Sequence, residues 1–317
     1  MTDETIKPFD LARIRPTRLD ERPSKVDLSL RAKPHTKGAS LSEFLVSLPD
    51  VLAAGDFRKI VMEIVEAREN SRQFVWAMGA HSIKCGLSPV ICDLIRRGII
   101  TAVALNGAGM IHDFELAFMG RTSEDVGPQL DNGEFGMAKD TADFLNGAAK
   151  DAAGAGAGLG LTAGKKFLDA KLPHAEMSIL ATCADVGIPA TVHVSIGTDI
   201  IHMHPSASGA EIGESSYTDF RLFTSVVCDL SGGVYFNIGS TVLLPEVFLK
   251  AFAIAMNTGA NPSEFTTVNL DFIQHYRPTV NVVRRPTASG RGRGYAITGH
   301  FEILIPLFAA AIIEQLG

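Results

Sequence analysis

The sequence is poor in cysteine, has a single tryptophan and contains no long apolar run. Its four cysteines, Cys85, Cys92, Cys183 and Cys228, form no C-x-x-C pair and lie in apolar surroundings. Reduced, buried thiols are therefore expected, rather than a disulfide framework or a zinc site. No stretch approaches the roughly 20 apolar residues that cross a bilayer, so no membrane span is expected. The opening segment MTDETIKPFDLARIRPTRLDERP lacks the apolar centre of a secretory signal, and a cytoplasmic setting is the corresponding expectation. There is also no excess of positive charge. A formal net charge of -6 gives no electrostatic reason to expect a nucleic-acid partner. What is abundant is apolar mass: 46% of 317 residues are hydrophobic, enough for a sizeable core. A sheet with helices on both faces can absorb that length as one unit.

Residues 1–40 differ from the rest. They hold nine basic residues and four prolines and show neither helical nor strand periodicity, so an extended N-terminal arm is expected, with 41–317 as a single α/β domain. From Leu41 onward, Leu41, Phe44, Leu45, Leu48 and Leu52 recur at helical spacing, and a second helix runs through Lys59 to Ala67.

Six short apolar runs read as strands: Phe74 to Met78, Thr101 to Leu105, Ala190 to Val194, Gly233 to Phe236, Thr267 to Phe272 and Tyr295 to Thr298. Helical stretches lie between and beyond them, among them Ser88 to Arg97, Ile111 to Met119, His174 to Asp185, Pro245 to Asn257 and Glu302 to Gln315. Alternation of strand and helix predicts a doubly wound, Rossmann-like parallel sheet. Nearly every run ends in a small or glycine-containing polar segment, and ligands of such sheets bind at the carboxyl ends of strands near the switch point. A dinucleotide phosphate approached by backbone N–H groups is one reading, and simple tight turns are the other.

The common nucleotide motifs do not fit. His112 stands where the third glycine of G-x-G-x-x-G would fall after Gly107 and Gly109. The tract AAGAGAGLGLTAGKK, Ala152 to Lys166, fails as a phosphate loop because Leu159 takes the place of its first glycine and Lys165 is followed by Lys166. With no clear strand before it, this tract reads as a mobile loop, a lid or a linker.

The succession ALNGAGMIHDFELAFMG, HVSIGTDIIHMHP, VYFNIGSTVLLPEV and YAITGHFEILIPLFAAAI resembles deoxyhypusine synthase and its homospermidine synthase relatives, over most of the chain beyond Leu41. The resemblance implies a homotetramer that binds NAD between subunits and begins its chemistry by abstracting hydride from spermidine. Together with the strand-end turns it places the cofactor at Gly79, Ser82, Asn106, Gly107, Ala108, Gly109, Gly239, Ser240, Gly299 and His300. It also makes Asp113 and Asp199 substrate carboxylates, while helix capping is the alternative for Asp113. Two departures stand out. The family's W-G-K motif falls near Arg284 to Arg293, where only arginines occur, and its histidine falls on Leu243 or Leu244. Arginine stays protonated and is a poor nucleophile.

His81, His112, His193, His202, His204 and His300 all lie at or just beyond strand ends. With Asp113 and Asp199 they could hold a metal, supply an acid and base, or line a nucleotide pocket. No helix presents H-x-x-x-H, so no metal ligands are assigned, and His112 or His204 is the expected general base. Arg284, Arg285, Arg291 and Arg293 fit either an anion in the pocket or a solvated basic loop. The expectation is an NAD-binding enzyme with redox or transient-redox chemistry on a small amine or amino acid, its candidate catalytic residues being His112, Asp113, Asp199 and His204. Two alternatives remain: a true synthase using a relocated lysine (Lys84, Lys165 or Lys250), and a non-catalytic NAD-binding regulator.

Overall fold

The computed structural model describes residues 6–316. Six strands form one sheet in which every pair is parallel: β1 (Phe74–Met78), β2 (Ala102–Asn106), β3 (Ala190–His193), β4 (Val234–Ile238), β5 (Phe265–Asp271) and β6 (Gly292–Thr298). Their order is β3-β2-β1-β4-β5-β6, as in a doubly wound sheet whose direction of winding reverses between β1 and β4. The expected strands are all present. β6 begins three residues earlier than its apolar pattern suggests, because it is an edge strand whose first residues, among them Arg293, stay exposed and offer no hydrophobic signal.

Parallel strands need long crossovers, and helices supply them. Before β1 come α1 (Leu41–Ser47) and α2 (Leu52–Glu69); after it, α3 (His81–Lys84) and α4 (Ser88–Arg96). Between β2 and β3 lie α5 (Gly107–Met119), α6 (Val126–Asp131), α7 (Lys139–Gly154), α8 (Leu159–Asp169) and α9 (Ile179–Val186). The later crossovers hold α10 (Gly209–Cys228), α11 (Leu243–Asn257) and the short α12 (Tyr276–Pro278), and α13 (Phe301–Leu316) closes the chain. Along β1 the side chains alternate. Phe74, Trp76 and Met78 enter a core shared with α2, α4, α5, α9 and α13, whereas Val75 and Ala77 meet α10 and α11 on the other face. Burial on both faces explains why FVWAM reads as one continuous apolar run.

Residues 6–39 contain three 3-10 turns, at Leu11–Arg13, Leu19–Glu21 and Leu28–Leu30, with no buried side chain. Lys33 N–H donates to Ser47 O at 2.8 Å and Asp50 N–H to Leu30 O at 3.0 Å, which ties the end of this segment to α1. A reciprocal Ser40/Glu43 capping box starts α1.

The Ala-rich tract 152–166 is neither loop nor lid. It spans the end of α7, a tight turn and most of α8, and its later glycines are contacts: a Cβ on Gly160 would lie 2.5 Å from Ala190 O, and one on Gly164 2.2 Å from Leu180 O. The arginines after α12 lie at the amino edge of the sheet, remote from the strand carboxyl ends, since Gly292 pairs with Phe265 at the start of β5. Arg284, Arg285, Arg291 and Arg293 are exposed there, Arg293 on β6 pairing with Glu63, so they are solvated and form no anion site in the pocket, although only Arg285 and Arg291 lie in a loop.

Candidate functional site

At the switch point the ends of β1 and β4 pinch together. Gly79 N–H donates to Ile238 O at 2.9 Å, and a Cβ on Gly79 would lie 2.8 Å from Gly239 O. Gly239 itself has φ +60°, and a Cβ there would meet the Phe301 ring at 2.8 Å, so both its backbone and its space demand glycine. The ladder continues outward through Gly239 N–H to Leu270 O and Gly299 N–H to Asp271 O, both 3.1 Å. Beneath these turns lies a buried amide chain. Asn237 Nδ2 donates to Ser240 O and to Asn269 Oδ1, and Asn269 Nδ2 donates to Gln274 Oε1. Asn237 Oδ1 and Ser82 Oγ are buried without partners. Ser240 Oγ accepts from Leu244 N–H, and α11 and α13 both begin at this edge, so their first N–H groups have no partner inside the helix.

The N-terminus of α5 is arranged differently. Asn106 Oδ1 caps it by accepting from Gly109 N–H at 2.8 Å. Against Gly107 lies the Asp199 carboxylate, in space that a Cβ would invade to 2.0 Å of Oδ2. This helix end thus already faces an anion, and a second negative group would be repelled there. The unpartnered polar atoms at the ends of β1 and β4, with the start of α13 after β6, fit a dinucleotide phosphate better than α5 does.

Beside Ala108 and Asp199 opens a cavity of about 650 Å3, walled by α3, α5 and the segment 121–138. His112 lines it. Its Nδ1 meets Thr122 Oγ1 at 2.6 Å, and Thr122 Oγ1 donates to Glu115 Oε2, whose other oxygen accepts from Thr141 Oγ1 at 3.3 Å. Burial, and then the charge of Lys84, push the His112 pKa down to about 4, so the ring is neutral at physiological pH. Asp199, nearly fully buried, is pushed up to about 6 by the same loss of solvent. His202, one turn further on, accepts from Gly197 and Asp199 N–H through Nδ1.

The structure brings His112, Asp199 and Ala108 to one cavity, and places Gly79, Ser82, Gly239, Ser240, Gly299 and His300 along the neighbouring strand ends. Asp113 is elsewhere. Fully buried, it accepts from Ser178 Oγ at 2.6 Å and from Ile179 and Leu180 N–H at 2.8 and 3.0 Å, capping α9. His204 Nε2 contacts Gly136 O at 2.8 Å and does not line the cavity. Of the three lysines, only Lys84 borders the cavity; Lys250 pairs with Glu246, and Lys165 is exposed on α8. Glu115 and Thr122 escaped the sequence reading, and His202 was in it only as one of the strand-end histidines. The one-turn spacings H-D-F-E and D-I-I-H were the available signals for Glu115 and His202.

No family model and no curated protein matches the sequence. Solved structures do share its architecture. A conserved candidate LOR/SDH protein from Methanococcus maripaludis is 18% identical over 84% of this chain and 71% of its own, with a TM-score of 0.51. AgrE, in ternary complex with ornithine and NAD+, is 13% identical over 82% of this chain, with a TM-score of 0.55. This chain spans about a third (33%) of the AgrE chain. A candidate deoxyhypusine synthase from Entamoeba histolytica is 11% identical over 90% of this chain and 96% of its own, with a TM-score of 0.52. The six-stranded parallel sheet of this protein, with helices on both faces, is therefore the fold of deoxyhypusine synthase-like proteins.

Proposed function

We propose that the protein is an NAD-dependent enzyme acting on a small amine or amino acid. The observation that carries this reading is a neutral histidine and a buried carboxylate with one unpartnered oxygen in one cavity beside the switch point of a doubly wound sheet. NAD, lying across the ends of β1 and β4, would supply a hydride acceptor. Ser82, Gly239, Ser240 and the starts of α11 and α13 would hold it, with its phosphates kept away from Asp199. Asp199 holds the substrate ammonium, because a cation is the partner its Oδ2 lacks. His112 accepts a proton through Nε2. The apolar wall formed by Ile111, Phe118, Val126 and Phe135 limits water around the reacting carbon. AgrE, which holds ornithine and NAD+ together, supports the pairing of a diamino acid with this cofactor.

In this reading residues 41–317 act as one unit, residues 1–40 form an arm, and the chain assembles as a homotetramer in the cytoplasm. Lys84 at the cavity rim favours a second reading, in which an alkylamine group passes through its Nζ as in a synthase. Calorimetric titration with NAD and NADP tests the cofactor claim. A panel of diamines and diamino acids, followed by cofactor reduction and by borohydride trapping on lysine, separates the two readings. Absence of affinity for either nucleotide would overturn both.

A further inference from the structure

The segment between α5 and α7 brings one hydroxyl to the back of the candidate base. Thr122 Oγ1 lies 2.6 Å from His112 Nδ1 and also donates to Glu115 Oε2. A carboxylate only accepts, so the single hydroxyl proton is committed to Glu115, and the oxygen is left as acceptor towards the imidazole. Nδ1 must then carry the ring proton, and Nε2 is left bare. Glu115 cannot take over this task from its observed position, since its Oε2 stands 3.8 Å from Nδ1. Thr141 holds the other Glu115 oxygen and so fixes the carboxylate that fixes the hydroxyl.

We infer that Thr122 is a positioning residue that selects the Nδ1–H tautomer of His112 and presents Nε2 to the cavity as the proton acceptor. The base role itself rests on the proposed function; the tautomer does not. Charged groups face the cavity from every element around it: Lys84 from α3, Glu115 from α5, Arg121 and Glu124 from the intervening segment, Asp140 from α7, and Asp199 after β3. None of these six has a hydrogen bond to the His112 ring, whose contacts are with Thr122 and, at the longer distance of 3.8 Å, Glu115.

The test is 15N NMR of selectively histidine-labelled protein, with His112 assigned by H112Q, in the wild type, T122S and T122V. The wild type and T122S should show a protonated Nδ1 and a bare Nε2, while T122V should lose that signature and populate Nε2–H. An Nε2–H signature in the wild type, or an unchanged signature in T122V, would overturn the inference. Circular dichroism and NAD titration on the same samples separate this outcome from misfolding and from loss of cofactor binding. If the tautomer behaves as stated while NAD fails to bind, the functional reading falls and the positioning role of Thr122 stands. With a substrate in hand, T122V should lower kcat by about 10- to 100-fold, leave KM within about twofold, and be rescued by T122S.

Discussion

Asp199 Oδ2 and His202 Nε2 face each other at 3.9 Å, both buried and neither with a hydrogen-bond partner. Nδ1 of His202 is occupied as an acceptor, so Nε2 carries the proton and the ring is neutral, in keeping with a pKa lowered by burial. The pair is one small rotation from a hydrogen bond, and Asp199 would gain more from a ligand cation than from that neutral donor. Asp199→Asn should therefore weaken binding of a diamine or diamino acid by at least about tenfold.

Its effect on stability should run the opposite way. The carboxyl has an ordinary value of 3.8, and burial pushes it up to about 6. From pH 4 to 6 the folded chain holds a proton that the unfolded chain has released, so ionisation works against folding and its full cost is present above pH 6. Asp199→Asn should stabilise the ligand-free protein above pH 6 by on the order of 2 kcal/mol, and the difference should vanish below pH 4. Urea titrations at pH 4, 6 and 8 measure it.

Gly107→Ala tests how the carboxylate is placed. The added methyl would invade the Asp199 carboxylate, which must swing away from the start of α5. Gly107→Ala and Asp199→Asn should each weaken cation binding, and the double variant should be no worse than either alone. A coupling free energy near zero in that cycle would show that Gly107 acts by another route.

The sheet was legible in the sequence because parallel strands covered on both faces are continuous apolar runs. β6 departed furthest in extent, for its half-exposed edge gives no such run, while β4 and β5 each differ by two residues at one end. Much of the site was legible only as a position in the chain. His112 and Asp113 are neighbours in α5, yet one faces the cavity and the other is buried against α9. A helix turns about 100° per residue, so adjacency in sequence puts them on different sides. Thr122 was illegible, because it belongs to an irregular segment and meets His112 only once α5 and the start of α7 are in place. The glycine-rich tract misled for the converse reason, since Gly160 and Gly164 let α8 approach β3 and α9, contacts that no local pattern announces.

Asp113→Ala should behave as a structural lesion. Three donors, Ser178 Oγ and the N–H groups of Ile179 and Leu180, lose their acceptor in a fully buried place. The expected loss is about 2 to 4 kcal/mol, set by the unsatisfied donors and the lost cap. Chemical denaturation measures it. NAD affinity, read at a temperature where the variant remains folded, should stay within about twofold of the wild type, because none of these groups borders the cavity.

The last prediction concerns Lys84 and the ionisation of His112. Burial is the larger cause of the low pKa, near 4, and the Lys84 ammonium adds to it by opposing a second positive charge in the same cavity. Lys84→Met removes the charge and leaves the burial, so imidazolium becomes easier to form and the His112 midpoint should move up from about 4. The move should be modest, stopping well short of the ordinary value of 6.5, because the dominant cause is untouched. An NMR titration of His112 reads it directly. If His112 is the base, the acid limb of kcat/KM should follow in the same direction, since less base is present at any pH on that limb. Mutating an exposed lysine outside the cavity, such as Lys165, should move neither. A downward shift in Lys84→Met would mean that replacing the hydrated ammonium by an apolar side chain deepens the burial of the ring by more than the lost charge relieves it.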